Sequence, residues 1–425
     1  MNRRQVMLSF ASGGMLTALA GCSGWQTGRS RPRIVVVGGG CAGATAARYL
    51  RMWSDRAIDV TLIEPNPVYV SSPLSNRVID GELGLADLTR TYESLAGRHG
   101  VRIIADRVVS FDPSAKRVRL GQGATLRYDK LVLAPGIDLL FEGIDGLAAA
   151  HADGRILAAW AAGPDTAGLY AQLRAMPDGG VFAITVPEAP YRCPPAPYER
   201  ASLVAAYLKR YKPRSKVLVL DANQDVVAMG SLFKKAWKDL YGDLLEYRNH
   251  HQPVSVDAGT LTVRFDVQED VRADVLNVLP PVCAGLIVRN AGLANVNSRW
   301  CEVEFASFES KLAKDVYIIG DAIQAAPRMP KSGHLANGHA KVAAAAIITA
   351  LRQQPLDPHP MLTNTCYSLV SPSAGMHSAA VYRYVAARRS FESVPDAGGA
   401  SAEPNTAEAT EALAWAENLW ADMLG

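Results

Sequence analysis

The stretch RIVVVGGGCAGATAARYL (residues 33–50) admits very few folds. Four apolar residues, Ile34 to Val37, read as a fully buried strand, and the Ala-rich run after Gly43 reads as a helix. Between them, Gly38, Gly40 and Gly43 match G-x-G-x-x-G. Each glycine has a job: the first makes the tight turn, the second lets a pyrophosphate approach the backbone, and the third lets helix and strand pack. The helix N-terminus then offers free N–H groups to phosphate. A second strand, IDVTLIEP, ends in Glu64, 21 residues beyond Gly43, where a carboxylate accepts from ribose hydroxyls. Gly38, Gly40, Cys41, Ala42, Gly43 and Glu64 are therefore the candidate dinucleotide site. Within it, Cys41 reads as a small packed residue rather than a reactive thiol.

A later strand decides between dinucleotides. YIIGDA (residues 317–322) ends in Gly320-Asp321, an acid placed for the ribityl chain of FAD, and LVLAPG supplies a companion turn at Ala134, Pro135 and Gly136. The pairing favours FAD over NAD. The predicted fold is α/β, with two Rossmann-like dinucleotide-binding domains and a C-terminal α+β module. The expected divisions are 31–150 and 286–352 for the FAD domain, 151–285 for the second domain, and 353–425 for the C-terminal module. In that module, turn-rich segments and a Gly/Ala/Ser-rich linker at about 397–402 precede a final helix.

The second domain keeps a strand (VFAITV, 181–186), a helix from about Tyr198 to Tyr211, and a strand KVLVLD ending in Asp221. Its loop, PEAPYRCPPAPYERA (187–201), has no glycine. Five prolines remove backbone donors and fix φ, so NAD(P)H binding is expected to be lost. Cys193 precedes the helix N-terminus, where partial positive charge favours thiolate. The same residue also reads as a buried or structural half-cystine.

Residues 1–30 are expected to be cleaved or tethered rather than folded. Arg3 and Arg4 precede a short apolar run, as in a twin-arginine export signal, which sends the protein to the periplasm. Leu19-Ala20-Gly21-Cys22 resembles a lipobox, so Cys22 is a possible lipid anchor; peptidase cleavage before Arg31 is the alternative. An exported protein permits disulfides among its six cysteines. There is no C-x-x-C and no C-x-x-C-H, so neither a metal site nor haem in this chain is indicated. A net charge of +3 gives no reason to invoke nucleic acid.

YRCPPAPYERA, MPKSGHLANGHAKVAAAA and NTCYSLVSPSAG together resemble the flavoprotein subunit of flavocytochrome c sulfide dehydrogenase, from about Arg31 to the C-terminus. The resemblance implies a redox disulfide between Cys193 and Cys366 over the flavin; taken alone, Cys366 is a packing residue. It implies sulfide as substrate and a c-type cytochrome, as subunit or soluble protein, as acceptor. It makes Glu199 a candidate for managing protons, although a carboxylate there also serves as a helix-dipole partner. Lys331 is a candidate for stabilising reduced flavin, or a solvated charge. Family members with covalent FAD carry a cysteine before L-S-N, whereas VYVSSPLSN has Ser72 there, so FAD is expected to be non-covalent. A sulfide:quinone oxidoreductase shares the fold and cysteine pair and is the alternative enzyme. A non-catalytic flavoprotein electron carrier is the alternative of another class.

Overall fold

Strand Arg33–Val37 lies inside a seven-stranded sheet, between Lys130–Leu133 and Asp59–Ile63, all parallel. Val316–Ile318 and Arg102–Ile104 extend the parallel part on either side, and Glu309–Ser310 and Val303–Glu304 complete one edge antiparallel. Ile34, Val35, Val36 and Val37 are all buried, as a strand covered on both faces requires. The computed structural model describes residues 31–425. The expected export signal, with Arg3, Arg4 and Cys22, lies outside the described residues.

The glycine loop leaves the C-terminal end of Arg33–Val37 and enters helix Cys41–Trp53. That helix packs on helix Gly333–Leu351, whose N-cap Ser332 accepts the Leu335 N–H at 3.1 Å. Both helices begin at the same edge of the sheet as the Gly320-Asp321 turn, which places the site where open α/β sheets bind ligands. The segment 101–127 divides: Arg102–Ile104 joins the main sheet, and only Val108–Asp112, Arg117–Leu120 and Thr125–Arg127 form a small antiparallel sheet.

The second Rossmann-like unit is a parallel sheet ordered Leu245–Arg248, Lys216–Asp221, Val181–Val186, Val275–Val278. Its helix is Ala196–Tyr211, two residues longer at its start than expected, with Pro195 as N-cap and Pro197 in the first turn. Prolines are tolerated there because the first-turn N–H groups have no intrahelical partner.

The C-terminal module corrects an expectation. Residues 397–402 are largely not a linker: strand Ser390–Ala400 is the third of an antiparallel meander with Met361–Ser371 and Ala374–Val385. Gly398 and Gly399 pair with Ala380 and Ala379, and a Cβ on Gly398 would come within 2.3 Å of the Ala379 carbonyl oxygen. Gly398 is there for close strand approach. Helix Thr406–Leu424 follows, capped by Asn405, and packs on the meander. Among the described residues no helix is long and apolar enough to cross a membrane, and no cluster of His, Cys, Asp and Glu could hold a metal ion.

Candidate active site

The dinucleotide loop is shaped by what its glycines lack. Gly38 has φ +98°, and a Cβ on it would sit 2.4 Å from the Ala134 carbonyl oxygen. A Cβ on Gly43 would lie 1.8 Å from the Gly38 carbonyl oxygen. Gly40 differs: an added Cβ would meet nothing within 4 Å, because this residue faces a cleft. Glu64 Oε2 accepts the Gly39 N–H at 2.7 Å, and Oε1 accepts from the backbone and side chain of Asn66. The carboxylate therefore fixes the loop as well as ending the second strand.

The cleft, open to solvent, spans about 1360 Å³ and is lined by residues of both Rossmann-like units and the C-terminal module. Gly40, Cys41, Ala42, Ala134, Gly136 and Asp321 come from the first unit. Cys193 and Glu199 come from the proline loop and its helix, and Cys366 comes from strand Met361–Ser371. Gly38, Gly43, Glu64, Pro135 and Lys331 do not line it. The first three build the loop behind the lining, and Pro135 packs under Gly285.

This cleft fits a flavin dinucleotide. Asp321 lines it with no protein hydrogen bond to its carboxylate among the described residues, and burial pushes its carboxyl up, offset by Arg192 and Lys331. A half-buried carboxylate without a protein partner, beside an open glycine loop and an uncapped helix N-terminus, offers an acceptor for hydroxyls and donors for phosphate. Gly40 and the start of helix Cys41–Trp53 would hold the pyrophosphate, and Asp321 the ribityl hydroxyls. Cys41 Sγ lies 3.3 Å from Tyr69 Oη, and burial raises its thiol, as for a packed residue.

Cys193 and Cys366 are both free thiols on this cleft. Cys193 adopts a left-handed backbone, φ 51°, and its N–H donates to the Lys331 carbonyl at 2.8 Å. The expected thiolate meets an opposing effect. The helix begins only at Ala196, and burial pushes the Cys193 thiol well up, with Cys366 and Glu199 adding to the push. Desolvation outweighs the helix end.

Glu199 is half-buried with both oxygens engaged: Oε1 accepts the Leu369 N–H at 2.9 Å and Oε2 accepts Asn76 Nδ2 at 2.6 Å. Burial raises its carboxyl, against the pull of those two donors. Asn76 Oδ1 in turn accepts Arg200 Nε at 3.0 Å, and Arg200 also bonds Ala158, Ala159 and Asn277. Lys331 does not face the cleft. Its ammonium donates to the carbonyls of Asp321 and Ile323 and lies over the Trp300 ring, 3.6 Å from the centroid. Burial lowers it to about 8.

Sequence reasoning missed several residues here. Arg192 lines the cleft and anchors its guanidinium on the Trp160 carbonyl; Trp160 Nε1 is a buried donor without a partner. His334, Tyr367 and Trp415 form an aromatic group along the cleft. Arg192, His334, Tyr367, Asn76 and Asn364 all lie within quoted motifs, but Trp160 and Trp415 do not.

In the second unit, the acid that ends its strand is already engaged by tyrosine hydroxyls. Asp221 accepts from Tyr198 Oη at 2.7 Å and Tyr247 Oη at 3.0 Å, and Tyr191 and Tyr198 are fully buried beside it.

Known families match in three blocks. Residues 32–160 match "Pyridine nucleotide-disulphide oxidoreductase". Residues 166–280 match "Sulfide dehydrogenase [flavocytochrome c] flavoprotein chain, central", and 358–424 match "Flavocytochrome c sulphide dehydrogenase, flavin-binding". The chain belongs to the FAD-dependent disulfide oxidoreductases. Within them it is similar to sulfide-oxidising flavoproteins. The mitochondrial sulfide:quinone oxidoreductase of Mus musculus is 26% identical over 312 residues, which span 69% of this chain and 66% of that protein, just under two thirds of its length. The flavoprotein chain of sulfide dehydrogenase [flavocytochrome c] from Chlorobaculum thiosulfatiphilum is 54% identical over 46 residues, 11% of this chain and 94% of that sequence. In structure, the sulfide:quinone oxidoreductase of Aquifex aeolicus superposes with a TM-score of 0.76 at 18% identity, covering 92% of this chain and 91% of that one. That likeness establishes the shared oxidoreductase fold.

Proposed function

We propose that this FAD-dependent oxidoreductase is a sulfide dehydrogenase, working through a Cys193–Cys366 disulfide and delivering electrons to a c-type cytochrome. One observation carries the reading. Two cysteines 173 residues apart, one on the proline loop and one on strand Met361–Ser371, line the same cleft as the dinucleotide loop and Asp321. Hydrosulfide attacks one sulfur of the disulfide; the S–S bond breaks, leaving a persulfide on that cysteine and a thiolate on the other. Bound FAD supplies two-electron acceptance from the thiol pair and one-electron release to the acceptor. Glu199, with its carboxyl raised by burial, is suited to take up a substrate proton, and Asn76 orients it through Oε2. The haem would belong to a partner subunit or a soluble cytochrome c.

The two family descriptions that name flavocytochrome c support the cytochrome as acceptor. The mouse relative's name supports a second reading, with quinone in that place. An anaerobic titration with sulfide tests the whole reading: one equivalent should bleach the flavin, and cytochrome c should restore its colour. Recovery with a short-chain quinone alone would replace the acceptor. An unbleached flavin would leave only an electron carrier.

Ser72 lines the cleft, and its hydroxyl cannot form a thioether, so FAD is bound non-covalently and should leave on acid precipitation. Flavin remaining on the precipitated chain would contradict this. The protein is exported to the periplasm; fractionation of an Arg3→Lys, Arg4→Lys variant should find it in the cytoplasm instead.

A further inference from the structure

The two thiols differ in one respect that their burial hides. Along strand Met361–Ser371 alternate side chains share a face, so Asn364 and Cys366 project together. Asn364 is 5% exposed, and its Nδ2 lies 3.3 Å from Cys366 Sγ. Which end of the amide meets the sulfur depends on Ser332. Its Oγ already accepts the Leu335 N–H, and its single proton goes to Asn364 Oδ1 at 2.6 Å. The reverse amide would strand that proton in a buried site. Nδ2 is thereby held towards Cys366. Among the described residues, no group donates a hydrogen bond to Cys193 Sγ.

We infer that Asn364, locked by Ser332, is a positioning residue that makes Cys366 the leaving sulfur of the pair, so that hydrosulfide adds to Cys193. The inference rests on the disulfide reading proposed above. In the step, the incoming sulfur forms a new S–S bond to Cys193, the Cys193–Cys366 bond breaks, and its electron pair stays on Cys366. No further oxidant is required. A thiol whose anion is better stabilised leaves faster, and hydrogen bonds to charged groups are the strong ones.

Other groups act on the same sulfur. Glu199 and Cys193 come from the proline loop and its helix, and Tyr382 from the neighbouring strand; His334 reaches the next residue, its Nδ1 accepting the Thr365 N–H. Glu199 opposes a Cys366 anion, whereas the Asn364 amide favours it.

The test is alkylation of the reduced, FAD-loaded protein by iodoacetamide across a pH series, with peptide mass spectrometry reading each cysteine. Cys366 should titrate below Cys193. In Asn364→Ala the Cys366 midpoint should rise by about one unit, a roughly tenfold loss of thiolate, with Cys193 unmoved. Ser332→Ala should shift it the same way by less, and carries the test if Asn364→Ala does not fold. A second arm adds one equivalent of sulfide to the oxidised protein and locates the extra sulfur, expected on Cys193. An unmoved Cys366 midpoint in folded variants, or the extra sulfur on Cys366, would overturn the inference. Extra sulfur on neither cysteine would instead overturn the disulfide reading, and the midpoints would still decide the role of Asn364.

Discussion

The backbone N–H of Cys193 donates to the carbonyl oxygen of Lys331 at 2.8 Å, joining the proline loop to the start of helix Gly333–Leu351. Lys331 thus serves the cysteine through its backbone, while its ammonium turns the other way, onto the Asp321 and Ile323 carbonyls. Lys331→Met should leave sulfide-driven flavin reduction within a few-fold of normal. It should cost about 1–3 kcal/mol of stability through the two orphaned carbonyls. Urea unfolding and stopped-flow absorbance measure the two effects separately. A large rate loss at normal stability would return Lys331 to the flavin.

NADH and NADPH should not reduce the flavin. Five prolines take donors out of the loop, and Tyr198 and Tyr247 occupy the Asp221 carboxylate that a ribose would need. Anaerobic mixing with either nucleotide checks this, and fast bleaching would show that the second unit binds it after all.

Asp80 gives a pH signature. Burial pushes its carboxyl up to about 7, against the pull of Arg77. The folded value lies above the unfolded one, so its contribution to stability is full below about pH 4 and is lost as pH rises through about 7. Asp80→Asn removes that dependence. Its melting temperature relative to the unmodified protein should therefore climb between pH 5 and pH 8. A constant difference across that range would mean that Asp80 is ionised throughout.

Much of the fold was legible because its signals are local. The glycine loop, Glu64 and Gly320-Asp321 each sit at the end of an apolar run, where strand length and turn chemistry coincide. The start of helix Ala196–Tyr211 was misjudged by two residues because prolines, usually breakers, fit a first turn. The Gly398–Gly399 stretch read as a linker because composition cannot reveal that Ala379 approaches too closely for a Cβ. The desolvation around Cys193 is hidden from sequence for a similar reason. A helix end is visible in sequence, but the burial that opposes it, and the charges of Cys366 and Glu199, come together only in the fold. Trp160 carries no pattern at all, and Arg192, although inside YRCPPAPYERA, has a role that arises only from the closing of the cleft.

The central claim is that Cys193 and Cys366 act as one redox unit, and cysteine replacement tests it most directly. A purely structural bridge closing so long a loop would contribute roughly 3–5 kcal/mol, and losing it would mainly lower stability. The account predicts instead that Cys193→Ser and Cys366→Ser each fold, bind FAD and accept electrons from dithionite, yet lose sulfide-driven flavin reduction almost completely. The double variant should be no worse than either single one, because both sulfurs serve one exchange step. Near-normal reduction by sulfide in either single variant would contradict the account.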